Sequence, residues 1–342
     1  MTMLSKQSDA QLKLFSLMNS SGMKLDFIPY GGKVISLFVP DRYGKLADVM
    51  LGYDHPEDYL NGNPYFGAII GRFANRIREG KFTVNGEDYQ LPINNGKNTL
   101  HGGPQGFHQA MWQVQQISSN SAALFWEQPH LSDHFPGTLK VNVTYTLTDA
   151  NEWKVSYQAS TDQPTIINLT HHAFFNLKGE GHGNVLSHRL FIQADRYCVV
   201  NGQLIPTGEL QSVKGSPLDF TSEKEIGKDI HHESLFPTRG YDHNWVLRKH
   251  ANELSLAARV IEDTSGRVME VYTTEPGLQF YSGNFLDGSD SGKGGKRYGF
   301  RSAFCLEAQH FPDSPHHPHF PSTVLLPTET YHQETIYRFN TL

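Results

Sequence analysis

The chain has 342 residues, with 29 Lys and Arg against 35 Asp and Glu and a formal net charge of −6. Its cations are scattered rather than gathered in a stripe, which argues against a nucleic-acid partner. No stretch approaches the ~18 apolar residues of a membrane span. The two cysteines, Cys198 and Cys305, form no C-x-x-C pair and imply no disulfide framework. With no apolar leader core between Met1 and Ser21, the expectation is a cytoplasmic protein large enough to fold on its own core.

In chain order, apolar residues recur with a period of two far more often than 3.6. Short strands are expected at 12–18, 23–28, 34–39 and 122–126. The clearest signal follows: Leu139, Val141, Val143, Tyr145 and Leu147 alternate with Lys140, Asn142, Thr144, Thr146 and Thr148. After a turn, Trp153, Val155, Tyr157 and Ala159 alternate with Lys154, Ser156, Gln158 and Ser160, so the two runs spell a β-hairpin with one buried face. Further strands are expected at 254–261, 268–274, 278–281, 303–308 and 334–339. Only short helices fit, at 56–60 and 222–229, and residues 287–296 read as an exposed Gly/Ser/Lys loop. No composition break or repeat divides the chain. The expected fold is all-β, one large antiparallel β-sandwich occupying residues 1–342 as a single domain.

Several segments break the alternation by setting polar groups beside glycines or aromatics. Gly71-Arg72-Phe73-Ala74-Asn75-Arg76-Ile77 carries two arginines among small and apolar residues. Leu100-His101-Gly102-Gly103 presents an imidazole on a turn. Asn168-Leu169-Thr170-His171-His172-Ala173-Phe174-Phe175-Asn176-Leu177 holds adjacent imidazoles, the side chains that exchange protons near neutral pH. Gly240-Tyr241-Asp242-His243 puts a carboxylate beside aromatics, a combination suited to sugar hydroxyls. Gln279-Phe280-Tyr281-Ser282-Gly283-Asn284-Phe285 mixes amides and aromatics. In Phe304-Cys305-Leu306-Glu307, Glu307 shares a strand face with Ala303 and Cys305, where partial desolvation would raise its pKa and make it a better base. Each segment also has a bland reading as core, cap or turn. His316-His317-Pro318-His319 and His231-His232 show no zinc spacing and are read as solvated.

In this order and spacing, with Ile205-Pro206-Thr207-Gly208, these segments resemble the aldose 1-epimerase (galactose mutarotase) family over essentially the whole chain. The resemblance implies a β-sandwich of many antiparallel strands and interconversion of the α and β anomers of free aldoses such as galactose and glucose. It implies Glu307 as general base and His172 as general acid, with Arg76, His101 and Asp242 binding the sugar. Asn75, Gln279 and Tyr281 would complete the pocket, and Phe280 is a candidate stacking face. The family commonly has Asn at the position of His171 and Tyr at that of Phe174.

Anomer exchange needs one base to take the C1 hydroxyl proton and one acid to protonate the ring oxygen. The expectation is therefore no cofactor and no metal, with Glu307 ionised and His172 protonated at the outset. A monosaccharide is the expected partner, and the protein is expected to be a monomer or homodimer. Alternatives are a hexose-6-phosphate 1-epimerase, which would need more cations than Arg72 and Arg76, and a glycoside hydrolase using Asp242 and Glu307. A non-catalytic sugar-binding protein of the same fold and a metal-dependent enzyme also remain.

Overall fold

The alternating segments in mid-chain set the architecture. Leu139–Thr148 and Glu152–Thr161 pair antiparallel, with Val143 opposite Tyr157, Tyr145 opposite Val155 and Leu147 opposite Trp153. Every second side chain is buried on both strands, and each large one contributes on the order of 1.5–3 kcal/mol from removal of its surface from water. The hairpin lies within a nine-stranded sheet. Its strand order is Gln113–Ser118, Ser121–Gln128, Leu139–Thr148, Glu152–Thr161, Tyr331–Thr341, Arg267–Thr273, Ser255–Ile261, Arg189–Ile192 and Lys224–Glu225.

The structure is a computed structural model that describes residues 12–63 and 65–342. The expectation about a leader falls partly on residues 1–11, which lie outside the described residues. A five-stranded sheet orders Pro206–Ser212, Ala194–Val200, Asp242–Leu247, Gly277–Tyr281 and Cys305–Gln309. A four-stranded sheet takes Phe15–Met18, Lys24–Phe27, Val34–Pro40 and Leu46–Asp48 in sequence. One apolar core joins all three, drawing Leu25 and Leu37 from the four-stranded sheet, Tyr145 and Trp153 from the nine-stranded one, and Trp245 and Leu306 from the five-stranded one. The protein is thus a large antiparallel β-sandwich. Among the described residues the helical elements are seven 3-10 turns of three to five residues, and no helix is long and apolar enough to cross a membrane.

Two local expectations need correction. Pro56–Leu60 is a 3-10 turn, but 222–229 is not helical. Lys224–Glu225 instead adds an edge strand beside Arg189–Ile192, while Lys224 Nζ reaches the Asp229 carboxylate at 2.8 Å. Tertiary pairing there overrides a weak local propensity. The loop at 287–296 is mostly exposed but anchored, because Lys293 bonds the half-buried Asp48 at 2.5 Å and Lys296 bonds Glu180 at 2.7 Å.

Candidate active site

Three neighbouring strands of the five-stranded sheet build one wall of a cavity. Asp242 stands opposite Tyr281 and Tyr281 opposite Cys305, while Asn244, Gln279 and Glu307 form the next row. Paired residues, and residues two apart on one strand, share a face. Asp242, Gln279, Tyr281, Cys305 and Glu307 therefore project together. The intervening His243, Phe280 and Leu306 project the other way. Phe280 is fully buried against Tyr241 and Trp245, so the proposed stacking role for it is wrong, as the period of two already implied.

The opposite wall comes from loops and short strands. Thr170–His172 pairs with Ala68–Ile70 and delivers His172. Asn75 and His101 both adopt left-handed backbone conformations, φ 62° and 53°, and clamp one another. The Asn75 N–H donates to His101 Nδ1 at 3.1 Å, and the His101 N–H donates to the Asn75 carbonyl at 3.0 Å. The next residue, Gly102, has φ 83°, and a Cβ there would lie 2.0 Å from the Gly71 carbonyl oxygen, so only glycine fits this turn.

These walls enclose about 310 Å³, lined by all eight sequence-predicted site residues: Asn75, Arg76, His101, His172, Asp242, Gln279, Tyr281 and Glu307. His172 Nε2 lies 3.6 Å from Glu307 Oε1. Gln279 Nε2 donates to Asp242 Oδ1 at 2.7 Å, and Arg76 Nε donates to Asn95 Oδ1 at 3.1 Å. Among the described residues, Glu307 Oε2 and Gln279 Oε1 meet no protein donor, so both acceptors are free for hydroxyl groups.

Burial governs the electrostatics. It pushes the Glu307 carboxyl well above its ordinary range, with the Asp242 charge adding to the shift and Arg76 opposing it. Burial lowers His172 to about 3, with His108 adding to the effect. Asp242 is raised by burial against the pull of Arg76 and Gln279. His101 is driven well below its ordinary value by burial, then by His172, Arg76 and His108. The proton of the pair therefore rests on Glu307 in the sugar-free pocket. That reverses the expected starting state, because desolvation disfavours both charges of a Glu⁻/His⁺ pair.

The remaining singled-out residues lie elsewhere. Arg72 is fully buried and donates to Gln128 Oε1, the Pro136 and Gly137 carbonyls and Thr165 Oγ1. It belongs to the scaffold and not to the cavity. His171 points away from His172, into the core, with its ring edge-on to Trp153 at 4.7 Å and Tyr145 at 5.7 Å. Burial lowers it to about 3. The loop histidines are not simply solvated: Asp313 takes His316 Nδ1 at 2.6 Å, and His319 Nε2 meets the Gly208 carbonyl at 2.8 Å. Asn63, Tyr65, Asn95, Phe174, Phe285 and Leu286 also line the cavity and were not picked out as site residues. Only Asn95, in the Asn94-Asn95-Gly96 turn, carried a local signal.

His101, His172 and Glu307 each offer a ligand atom within 4.8 Å of the others, a donor set that could take a cation. The Asn75 N–H bonded to His101 Nδ1 leaves the proton on His101 Nε2. That tautomer presents a hydrogen-bond donor to the cavity where a metal would need a lone pair.

The aldose 1-epimerase family model matches residues 13–338. Galactose mutarotase of Bos taurus is 46% identical over 94% of this chain and 93% of that protein. Aldose 1-epimerase of Escherichia coli is 37% identical over 96% of this chain and 95% of its own length. The crystal structure of an aldose epimerase homologue from C. elegans superimposes with a TM-score of 0.90 at 31% identity, covering 97% of this chain and 99% of that one. The chain belongs to the aldose 1-epimerase family, enzymes that isomerise monosaccharides.

Proposed function

We propose that this protein interconverts the α and β anomers of free aldohexoses such as galactose and glucose, with Glu307 as general base and His172 as general acid. The observation that carries the reading is the buried His172–Glu307 pair, 3.6 Å apart in a cavity furnished with sugar-binding groups. The C1 hydroxyl and the ring oxygen are both bonded to C1, so two groups this close can serve both. Glu307 removes the hydroxyl proton while His172 protonates the ring oxygen, and the ring opens to the aldehyde. Rotation about C1–C2 turns the other face toward the hydroxyl, and closure with the roles reversed gives the opposite anomer.

In the sugar-free pocket the neutral Glu307/His172 tautomer is favoured. Sugar hydroxyls donating to the carboxylate favour its ionised form, and the proton passes to His172 at no change in net charge. Arg76 and Asp242 grip other hydroxyls by charge-assisted bonds, helped by Asn75, Gln279, Tyr281 and the His101 Nε2–H. Among the described residues lining the cavity, Arg76 is the one Lys or Arg, which favours a free sugar over a sugar phosphate.

The continuous core supports reading 1–342 as one domain, and a cytoplasmic location is part of the same proposal. Polarimetry of freshly dissolved α-galactose tests the activity. The optical rotation should relax faster with protein than without, and hexose 6-phosphate should be the poorer substrate.

A further inference from the structure

His172 is an unusually confined imidazole. Phe174 and Tyr65 stack on it, with centroids at 4.8 and 5.8 Å and ring planes tilted by 19° in each case. His101 meets it edge-on at 5.2 Å. Of its two nitrogens, Nε2 faces Glu307. Nδ1 lies 3.5 Å from Cys305 Sγ, its one side-chain hydrogen-bond partner among the described residues. Cys305 is fully buried and stands two residues before Glu307 on the same strand face. A single strand thus reaches both polar edges of the imidazole, with a carboxyl at one and a thiol at the other.

We propose that Cys305 is a positioning residue for the anomerisation: its sulfur accepts from His172 Nδ1–H and holds the ring with Nε2 toward the sugar while Nε2 gains and loses the proton. This rests on the reading of His172 as the acid. When His172 is neutral, its Nδ1–H donates to a sulfur lone pair and leaves the Nε2 lone pair free to take the proton held by Glu307. When His172 is an imidazolium, the same Nδ1–H contact to sulfur persists and Nε2–H faces the ring oxygen. A carboxylate at this position would bind the imidazolium tightly and hold back its proton. Sulfur is a weak donor and a weak acceptor, so it orients the ring in both states without pinning the charge. Burial and the nearby Glu307 and Asp242 carboxyls keep the thiol protonated by pushing it well above its ordinary range.

The test replaces the thiol and reads more than activity. Cys305→Val fills a similar volume without a polar atom. Cys305→Ser keeps a hydroxyl, but its shorter bond to carbon draws the oxygen back from Nδ1. Both variants should lower kcat on galactose by about 10–100-fold, the usual worth of an outer group that orients an active-site histidine, with KM unchanged. In ¹⁵N NMR of the sugar-free protein, His172 should be a single Nδ1–H tautomer, and its Nδ1 resonance should move in Cys305→Val. A thiol that only packs would change thermal stability and leave both readouts alone. A folded valine variant with wild-type kcat, or an Nδ1 resonance indifferent to the substitution, overturns the proposal. If valine fails to fold, the serine variant and the wild-type tautomer still decide. Wild-type turnover in His172→Asn would overturn the functional reading itself, whereas the NMR shift reports the contact independently.

Discussion

His172 Nε2 and Glu307 Oε1 stand 3.6 Å apart with side chains only 8% and 3% exposed, and among the described residues neither has an oppositely charged ion-pair partner besides the other. The pair can hold one proton in two arrangements of equal net charge. Acid–base exchange across one sugar carbon needs that property, and buried isolation keeps it from being quenched by water.

The pH dependence follows from the directions of these shifts. A second proton enters the pair only at His172, near its lowered value of about 3, and the last one leaves Glu307 well above the ordinary carboxylate range. The kcat/KM profile should therefore show no acid limb near about 6.5, the ordinary histidine value, its acid limb lying far below that. Stopped-flow polarimetry across pH checks this, and a fall in activity on acidification through about 6.5 would count against it.

Stability should respond in two opposing directions. Burial lowers His108, His171 and His172 to about 3 and His243 to about 4. Below about 6.5 the unfolded chain binds protons that the folded one refuses, so the stability from these groups is full above that pH and is lost as pH falls. Glu307 acts oppositely: its raised value means stability is lost as pH rises above the unfolded carboxyl range. Glu307→Gln should therefore raise Tm at pH 8 more than at pH 5, as thermal melts at the two pH values would reveal.

Arg76 and Arg72 should separate cleanly. Arg76→Ala and Asp242→Ala should raise KM for galactose as well as lower kcat, because the proposed function has both groups grip the ground-state sugar. Arg72→Ala should instead cost stability, about 1–3 kcal/mol for each buried neutral acceptor it orphans. Steady-state kinetics beside denaturant titration distinguish them.

Much of this was legible in the sequence. The hairpin at 139–161 alternates because one face is core and the other water, so its period survives intact. Asp242–Leu247 does not alternate visibly, because a polar face turned into a sugar cavity is also buried, and both faces look inward. Gln113–Ser118, largely exposed at a sheet edge, lacked an apolar face to announce it. The site residues came from motif resemblance. Phe285 and Leu286 follow Tyr281 closely in sequence, but the wall supplied by Tyr65 depends on contacts over long sequence separations, which no local pattern encodes.

His171 illustrates the same limit. Adjacent to His172 in sequence, it faces the opposite side of the strand, and neither ring nitrogen has a partner among the described residues. His171→Leu should leave kcat unchanged and leave stability equal or improved, since an unpaired buried polar group gives way to an apolar one. Melting temperature and turnover of the purified variant test both halves.

The most direct measurement of the central claim is the polarimetric kcat of Glu307→Gln and His172→Asn on fresh α-galactose. Each should fall by about 10²–10⁴-fold, the usual worth of a general acid or base, in protein that remains folded. Near-normal turnover in either variant would contradict the assignment of Glu307 and His172 as the acid–base pair.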